Sequence, residues 1–251
     1  MKMIKSRALL ATSIAAGLTL ALAACNGTEG ESATLDGDAI AAIPAPDGQE
    51  WTDVVTVTDQ DGYLIGNPDA PLKLVEYASH TCGHCADFSE KGGPKLKKDY
   101  VSTGVVSLEL RNLIRDPVDL TIAALVRCGQ PENMIPLSDQ AWASLEQIFA
   151  TLNQNGAALQ AASDLPPEQR FIAIAEAGGL IDFFAARGLS SDQARTCLAD
   201  GDAIQALAER STQQASELQI TGTPTFILNG QKLEVNQWDA LEPILQQAGA
   251  R

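Results

Sequence analysis

The spacing of apolar and polar positions changes along this chain in a definite order. From 54 to 58 the two alternate, which predicts a first strand or one arm of a hairpin. The turn-rich run Gly66-Asn67-Pro68-Asp69-Ala70-Pro71 follows, and 72–77 is apolar enough for a buried strand. A helix is predicted from Cys82 towards Tyr100. Gly92-Gly93-Pro94 should kink it, because Pro94 removes an N–H donor and crowds the preceding turn. The β-branched run 105–113 predicts a second central strand. Strand, helix and strand then make the parallel crossover of an α/β sheet.

Between Pro117 and about Asp200 the pattern turns helical, with segments predicted at 118–128, 137–152, 168–177, 180–187 and 191–199. Asp164-Leu165-Pro166-Pro167 breaks this block, and Ser190-Ser191-Asp192 caps its last helix. A helix at 202–218 leads into the apolar run 220–228. Asn229-Gly230 is a type I′ hairpin signal joining that run to 232–235, and a final helix covers 237–247. The expected organisation is one α/β domain, 51–251, with an all-helical subdomain inserted at about 117–200.

The first 50 residues follow another logic. Lys2, Lys5 and Arg7 precede a short apolar run, 8–21, that reads as a secretory signal rather than a membrane span. Leu22-Ala23-Ala24-Cys25 resembles the lipobox of bacterial lipoproteins. That resemblance implies a signal peptide at 1–24, a lipid on Cys25, and a protein tethered in the periplasm or cell envelope; the alternative is an ordinary signal cut nearby, leaving an odd thiol. Residues 25–50 are rich in Gly, Ala, Asp, Glu, Ser and Pro without periodicity, and predict a flexible tether. Removing 1–24 takes the net charge from −15 to −15 − 3 = −18. So acidic a body argues against nucleic acid and anionic lipid surfaces as partners.

The chain has five cysteines. Setting Cys25 aside leaves four, an even number for an oxidising compartment. Cys82-Gly83-His84-Cys85 opens the first predicted helix, where unpaired N–H groups and the helix dipole favour a thiolate. His84 can add positive charge there, and both histidines of the chain, His80 and His84, lie within two residues of Cys82. The motif reads as a redox-active disulfide, with a zinc half-site or a structural clasp as alternatives. A c-type haem site needs histidine at position 86, which is alanine. Structural zinc needs a second ligand pair, which the sequence lacks, so no metal and no cofactor is expected; a copper-handling role stays open. Parity then pairs Cys128 with Cys197, closing a loop of about 70 residues worth ~4 kcal/mol; two buried free thiols are the alternative.

Taken together, Cys82–Cys85 after the first central strand, the helical insert, and Gly222-Thr223-Pro224-Thr225-Phe226 at the late hairpin resemble the thioredoxin fold in its DsbA-like branch. The entry run 66–71, Val75-Glu76-Tyr77 and residues 82–88 carry the same resemblance, which extends over about 50–250. It implies Cys82 as the exposed nucleophile and Cys85 as its more buried partner. It implies a cis Pro224 against the cysteines, with the backbone of Thr223 offered to a substrate strand. Glu76 would be a buried carboxylate that shuttles the proton of Cys85, against the plainer reading of an edge-facing Glu. Cys128 and Cys197 would form a non-catalytic disulfide. The implied activity is an extracytoplasmic, monomeric thiol:disulfide oxidoreductase that oxidises cysteine pairs of secreted proteins and is recharged by a membrane redox partner. Gly83-His84 departs from the Pro-His common in DsbA proteins and matches protein disulfide isomerases. A reductase or isomerase is therefore the first alternative. A tethered chaperone gripping peptides beside Pro224 is the second.

Overall fold

The computed structural model describes residues 37–251; the expected signal at 1–24, the lipid site Cys25 and the tether at 26–36 lie outside the described residues. A six-stranded sheet runs β1-β2-β4-β3-β5-β6, with β1 (Val55–Val57), β2 (Tyr63–Ile65), β3 (Leu72–Ala78), β4 (Val106–Asn112), β5 (Thr225–Leu228) and β6 (Gln231–Lys232). Only β3 and β4 are parallel among these pairs. The predicted crossover joins them through α1 (Gly83–Lys91), α2 (Gly93–Lys95) and a π-helical turn, Leu96–Tyr100. The α-helical register ends at Lys91, just before Gly92-Gly93-Pro94, as the missing donor of Pro94 requires.

Seven helices follow: α3 (Pro117–Val126), α4 (Pro131–Ala143), α5 (Leu145–Gln154), α6 (Gly156–Ala162), α7 (Pro167–Ala177), α8 (Leu180–Ala185) and α9 (Ser191–Ala199). Then α10 (Gly201–Glu217) returns the chain to β5, and α11 (Trp238–Gln247) closes it. This is the thioredoxin-like α/β fold with a helical insert. Asp116 caps α3 by accepting the Asp119 N–H, and Ser190 with Gln193 forms a capping box on α9.

Several boundaries differ from the sequence expectation. The α4 helix begins at Pro131 and carries Pro136 inside it, and the single segment expected at 137–152 is divided at Ser144 between α4 and α5. Pro131 sits at the helix start, where its missing N–H costs nothing. The strand expected from 220 begins only at Thr225, because the Thr223–Pro224 peptide is cis and Pro224 has no donor for the ladder. β2 is three residues long, too short to show alternation. The Asn229-Gly230 turn forms as expected, with φ of 48° and 83°.

The tether expected up to residue 50 is bonded to the body from Gly37 onward. Gly37 N donates to Gln247 O (2.8 Å), Ile40 N to Gly249 O (2.9 Å) and Ile43 N to Thr103 O (2.8 Å). Trp51 Nε1 also donates to Ile43 O at 2.7 Å. The first three are main-chain pairings, which no side-chain pattern announces. Gly104 makes the approach possible: it has φ +72°, and a Cβ there would stand 2.5 Å from Ile43 O and against Trp51 Nε1. Gly104→Ala is expected to cost about 2–4 kcal/mol, from the positive φ and the displaced strap together. Urea unfolding measures this, and a change under 0.5 kcal/mol (roughly a neutral surface substitution) refutes it.

The core divides by sheet face. Along β3, Leu72, Leu74, Glu76 and Ala78 project to one side, and Val75 and Tyr77 to the other. Leu72, Leu74 and Ala78 pack in one cluster with Cys82, Cys85 and Phe88 of the α1 segment, whereas Tyr77 packs with Leu113, Ile220 and Ile227. Alternation thus puts the carboxyl of Glu76 on the face that α1 covers.

Candidate active site

The loop between β3 and α1 is held in place by the insert. Trp142 Nε1 donates to Ser79 O (2.9 Å), His80 N donates to Asp119 Oδ1 (2.8 Å), and the Thr81 hydroxyl donates to Asp116 Oδ2 (2.7 Å). Three residues of the insert and its entry therefore aim the next residue, Cys82. Cys82 takes the N-cap position of α1 with extended backbone (φ −98°, ψ 117°) and no side-chain cap. Its sulfur lies over the first turn, where the helix has donors to spare.

Cys82 and Cys85 are both free thiols, and their environments drive them apart. Cys82 is lowered to about 5, first by the hydrogen bond from the Cys85 thiol, against an opposing cost of burial. The Thr223 hydroxyl and the main-chain N–H groups of Cys85 and His84 lower it further. Cys85 moves the opposite way: burial raises it most, and its hydrogen bond to Cys82 and the charge of Glu76 add to that. One sulfur is thus an easy thiolate and the other a reluctant one. The expectation of an exposed nucleophile needs correction, since Cys82 is only 4% exposed and Cys85 0%. The order of burial holds, but Cys82 reaches solvent through a narrow window onto a groove.

Thr223 meets Cys82 from the other side. Cys82 Sγ lies 3.3 Å from Thr223 O, which accepts from the protonated thiol. The Thr223 hydroxyl is buried near the same sulfur, but it has no hydrogen bond of ordinary geometry among the described residues. The expected cis Thr223–Pro224 bond is present, and this contact places its turn directly against the cysteine pair.

Glu76 is 4% exposed, which rules out the edge-facing reading. Its Oε1 has no hydrogen-bond partner among the described residues. Burial pushes its carboxyl up to about 8; Asp139 and Cys82 add to the rise and Lys97 opposes it. Lys97 is ion-paired to Asp139, and the Ser89 hydroxyl donates to the same carboxylate at 2.8 Å. Lys97, Asp139, Trp142, Asp119 and Asp116 are site residues that the sequence reading missed. Asp116-Pro117 and Asp119 carried a helix-cap signal, but nothing local marks the reach of Lys97 and Asp139 to Glu76.

The two histidines act otherwise than expected. The His84 imidazole is exposed, and what reaches Cys82 is its main-chain N–H. His80 is fully buried. Its ring stacks on Trp142 (5.0 Å between centroids) and its Nε2 is 3.0 Å from Ser138 Oγ, which commits it to the insert.

Cys128 and Cys197 form a disulfide. They line a separate 420 Å³ cavity with Arg127, Arg210 and Asp61, and that cavity shares no residue with the groove at Cys82. Among the described residues no cluster of His, Cys, Asp or Glu could hold a metal ion, and no helix is long and apolar enough to cross a membrane.

Comparison with known proteins fits this geometry. A family model described as thioredoxin matches residues 58–247. A Rickettsia conorii protein, provisionally named a protein-disulfide oxidoreductase, is 26% identical over 183 residues, 68% of this chain and 54% of that protein. The chain therefore spans about half the length of that relative. A crystal structure named as a protein-disulfide isomerase, from Novosphingobium aromaticivorans, is 32% identical and superposes with a TM-score of 0.69, over 74% of this chain and 96% of that one. Alpha-DsbA1 of Wolbachia pipientis has the same fold at 24% identity and a TM-score of 0.60, over 75% and 92% of the two chains.

Proposed function

We propose a function from one premise: this chain belongs to the thioredoxin family, in its DsbA-like branch of thiol:disulfide oxidoreductases. The proposed activity is oxidation of cysteine pairs in extracytoplasmic proteins by a Cys82–Cys85 disulfide. The observation that carries it is the opposite displacement of the two thiols, Cys82 down to about 5 and Cys85 up. A first sulfur that prefers to leave as a thiolate favours the dithiol form of the pair, and a pair that favours being reduced is an oxidant.

In the proposed cycle a substrate thiolate attacks Cys82 Sγ of the oxidised pair. The Cys82–Cys85 bond breaks, and its electron pair leaves on Cys85, which takes a proton from the carboxyl of Glu76. A second substrate thiolate attacks the substrate sulfur of the mixed disulfide, and Cys82 leaves as a thiolate. The substrate loses two electrons and the pair gains them. Thr223, 3.3 Å from Cys82 through its carbonyl, would align the substrate backbone beside the reacting sulfurs. The His84 N–H would hold the leaving charge. Cys128–Cys197 would brace the insert, and a membrane redox partner would reoxidise the pair. Lipid attachment at Cys25, read from Leu22-Ala23-Ala24-Cys25, would keep the enzyme at the envelope.

Equilibration with glutathione buffers tests the direction of electron flow. The expected potential is about −120 to −180 mV, and a value near the −270 mV of a cytosolic reductase overturns the oxidase reading. Gly83-His84 and the name of the Novosphingobium neighbour favour isomerase as the second reading. Faster recovery of a scrambled-disulfide substrate than of a reduced one would select it.

A further inference from the structure

A groove of about 1160 Å³ opens at Cys82 and runs between α1 and the α4–α5 segment of the insert. It exceeds the usual volume of a small-molecule pocket, ~300–1,000 Å³, and suits a length of polypeptide. Its walls carry carboxylates at Asp87, Glu90, Asp139 and Glu146 against cations at Lys97 and Arg115. Lys97 is already tied to Asp139, and Lys91 outside the groove pairs with Asp87. Glu90 and Glu146 have no cationic partner among the described residues, and they face the groove from α1 and α5 respectively. Beyond them, Phe149 is 37% exposed, one helical turn from Leu145 on the same wall.

We propose that this groove selects the substrate: it takes an extended polypeptide segment whose cysteine sits at Cys82, with a lysine or arginine between Glu90 and Glu146 and an apolar side chain on Phe149. The inference rests on the oxidoreductase reading and adds a preference to it. Charge complementarity identifies the occupant. Glu90 and Glu146 outnumber Arg115, the groove cation without an ion pair among the described residues, so the groove carries a field that draws cationic segments and repels acidic ones. The exposed Phe149 ring adds contact area only for a chain long enough to reach it, so a small dithiol gains nothing from either feature. Thr223 touches Cys82 but does not line the groove, so a substrate strand aligned by Thr223 would pass Cys82 before entering it.

The test uses two-cysteine peptides that are identical except for lysine, glutamine or glutamate placed three or four residues from the first cysteine, the extended span needed to cover the ~12 Å along α1 from Cys82 to Glu90. Each oxidation rate is divided by that of a neutral small dithiol with the same protein. At low salt the lysine peptide should exceed the glutamate peptide about five- to tenfold, from two exposed pairs of ordinary strength. The ratio should fall towards one at high salt. It should also collapse in a Glu90→Gln/Glu146→Gln variant, while Phe149→Ser should lower the lysine rate only for peptides long enough to reach that residue. A wild type indifferent to peptide charge, or a preference that survives the double variant, overturns the proposal. Failure to oxidise even the neutral dithiol is a different result, since it removes the oxidoreductase reading itself.

Discussion

Reduced protein will be alkylated at Cys82 nearly as fast at pH 6 as at pH 8, and the thiolate absorbance will titrate with a midpoint of about 5. An ordinary thiol of pKa near 8.5 is only ~0.3% ionised at pH 6. Cys82 is then about 90% ionised by the same relation, so its thiolate population is roughly 300-fold larger. The same displacement makes stability depend on pH. The folded thiol lies below its unfolded value of 9.0, so the contribution is fully present above pH 9 and is lost as pH falls through about 5. Cys85 stays protonated in the folded protein and ionises in the unfolded chain only near pH 9, so it adds slope only at the top of this window. The oxidised protein has no Cys82 thiolate, and burial of Glu76 raises its carboxyl in both forms. The reduced form should therefore gain on the oxidised one between pH 5 and 9. At pH 7 the gain should be on the order of 1–2 kcal/mol, once solvent screening at the groove mouth is allowed for. Paired thermal melts of the two forms from pH 4 to 9 check this. A constant difference in Tm, or an alkylation midpoint above 8, would remove the basis for calling the pair an oxidant.

What could be read in the sequence and what could not separate along one physical line. Cys82-Gly83-His84-Cys85, Asn229-Gly230 and the Ser190 cap are local devices whose geometry follows from a few neighbouring residues, and each forms where expected. Pro224 was placed by resemblance, since Thr-Pro alone predicts an ordinary trans turn. The strap at 37–43 escaped because its anchors are main-chain groups about 60 or more residues away, which no side-chain period encodes. His84 shows the converse error: a charged side chain invites an electrostatic role, but a residue just inside a helix start contributes first through its N–H. Lys97 and Asp139 could not be paired from sequence, because one follows α1, the other lies mid-insert, and only the packing of α1 against α4 joins them. The same packing brings Trp142 to the loop before Cys82, and α3 brings Asp119 there. The insert thus contributes to the site throughout, although its own sequence carries no catalytic motif.

Glu76→Gln should slow single-turnover oxidation of a dithiol substrate about 10²-fold at pH 7, the low end of what a positioned acid supplies. The argument starts from Cys85, which must leave as sulfur in a site whose burial opposes its charge. A carboxyl held up to about 8 is some 90% protonated at pH 7, so it can hand its proton to that sulfur as the bond breaks. Glutamine keeps the shape and offers no such proton. As pH rises through about 8 the wild-type carboxyl ionises and the two proteins should converge, which a simple packing defect would not produce. Stability should move the other way. A carboxyl raised from 4.5 to about 8 is cost-free below pH 4.5 and progressively destabilising as pH rises through its folded value. Glu76→Gln should therefore match wild type near pH 4 and exceed it at pH 8–9, by on the order of 3 kcal/mol. Lys97 and Asp139 set the balance of charge facing Glu76, so Asp139→Asn should lower the pH of convergence by leaving Lys97 uncompensated. Stopped-flow rates between pH 5 and 9, with melts of the oxidised proteins over the same range, measure both halves. A slowing equal at every pH, with no crossover in stability, would mean that Glu76 fills space and carries no proton.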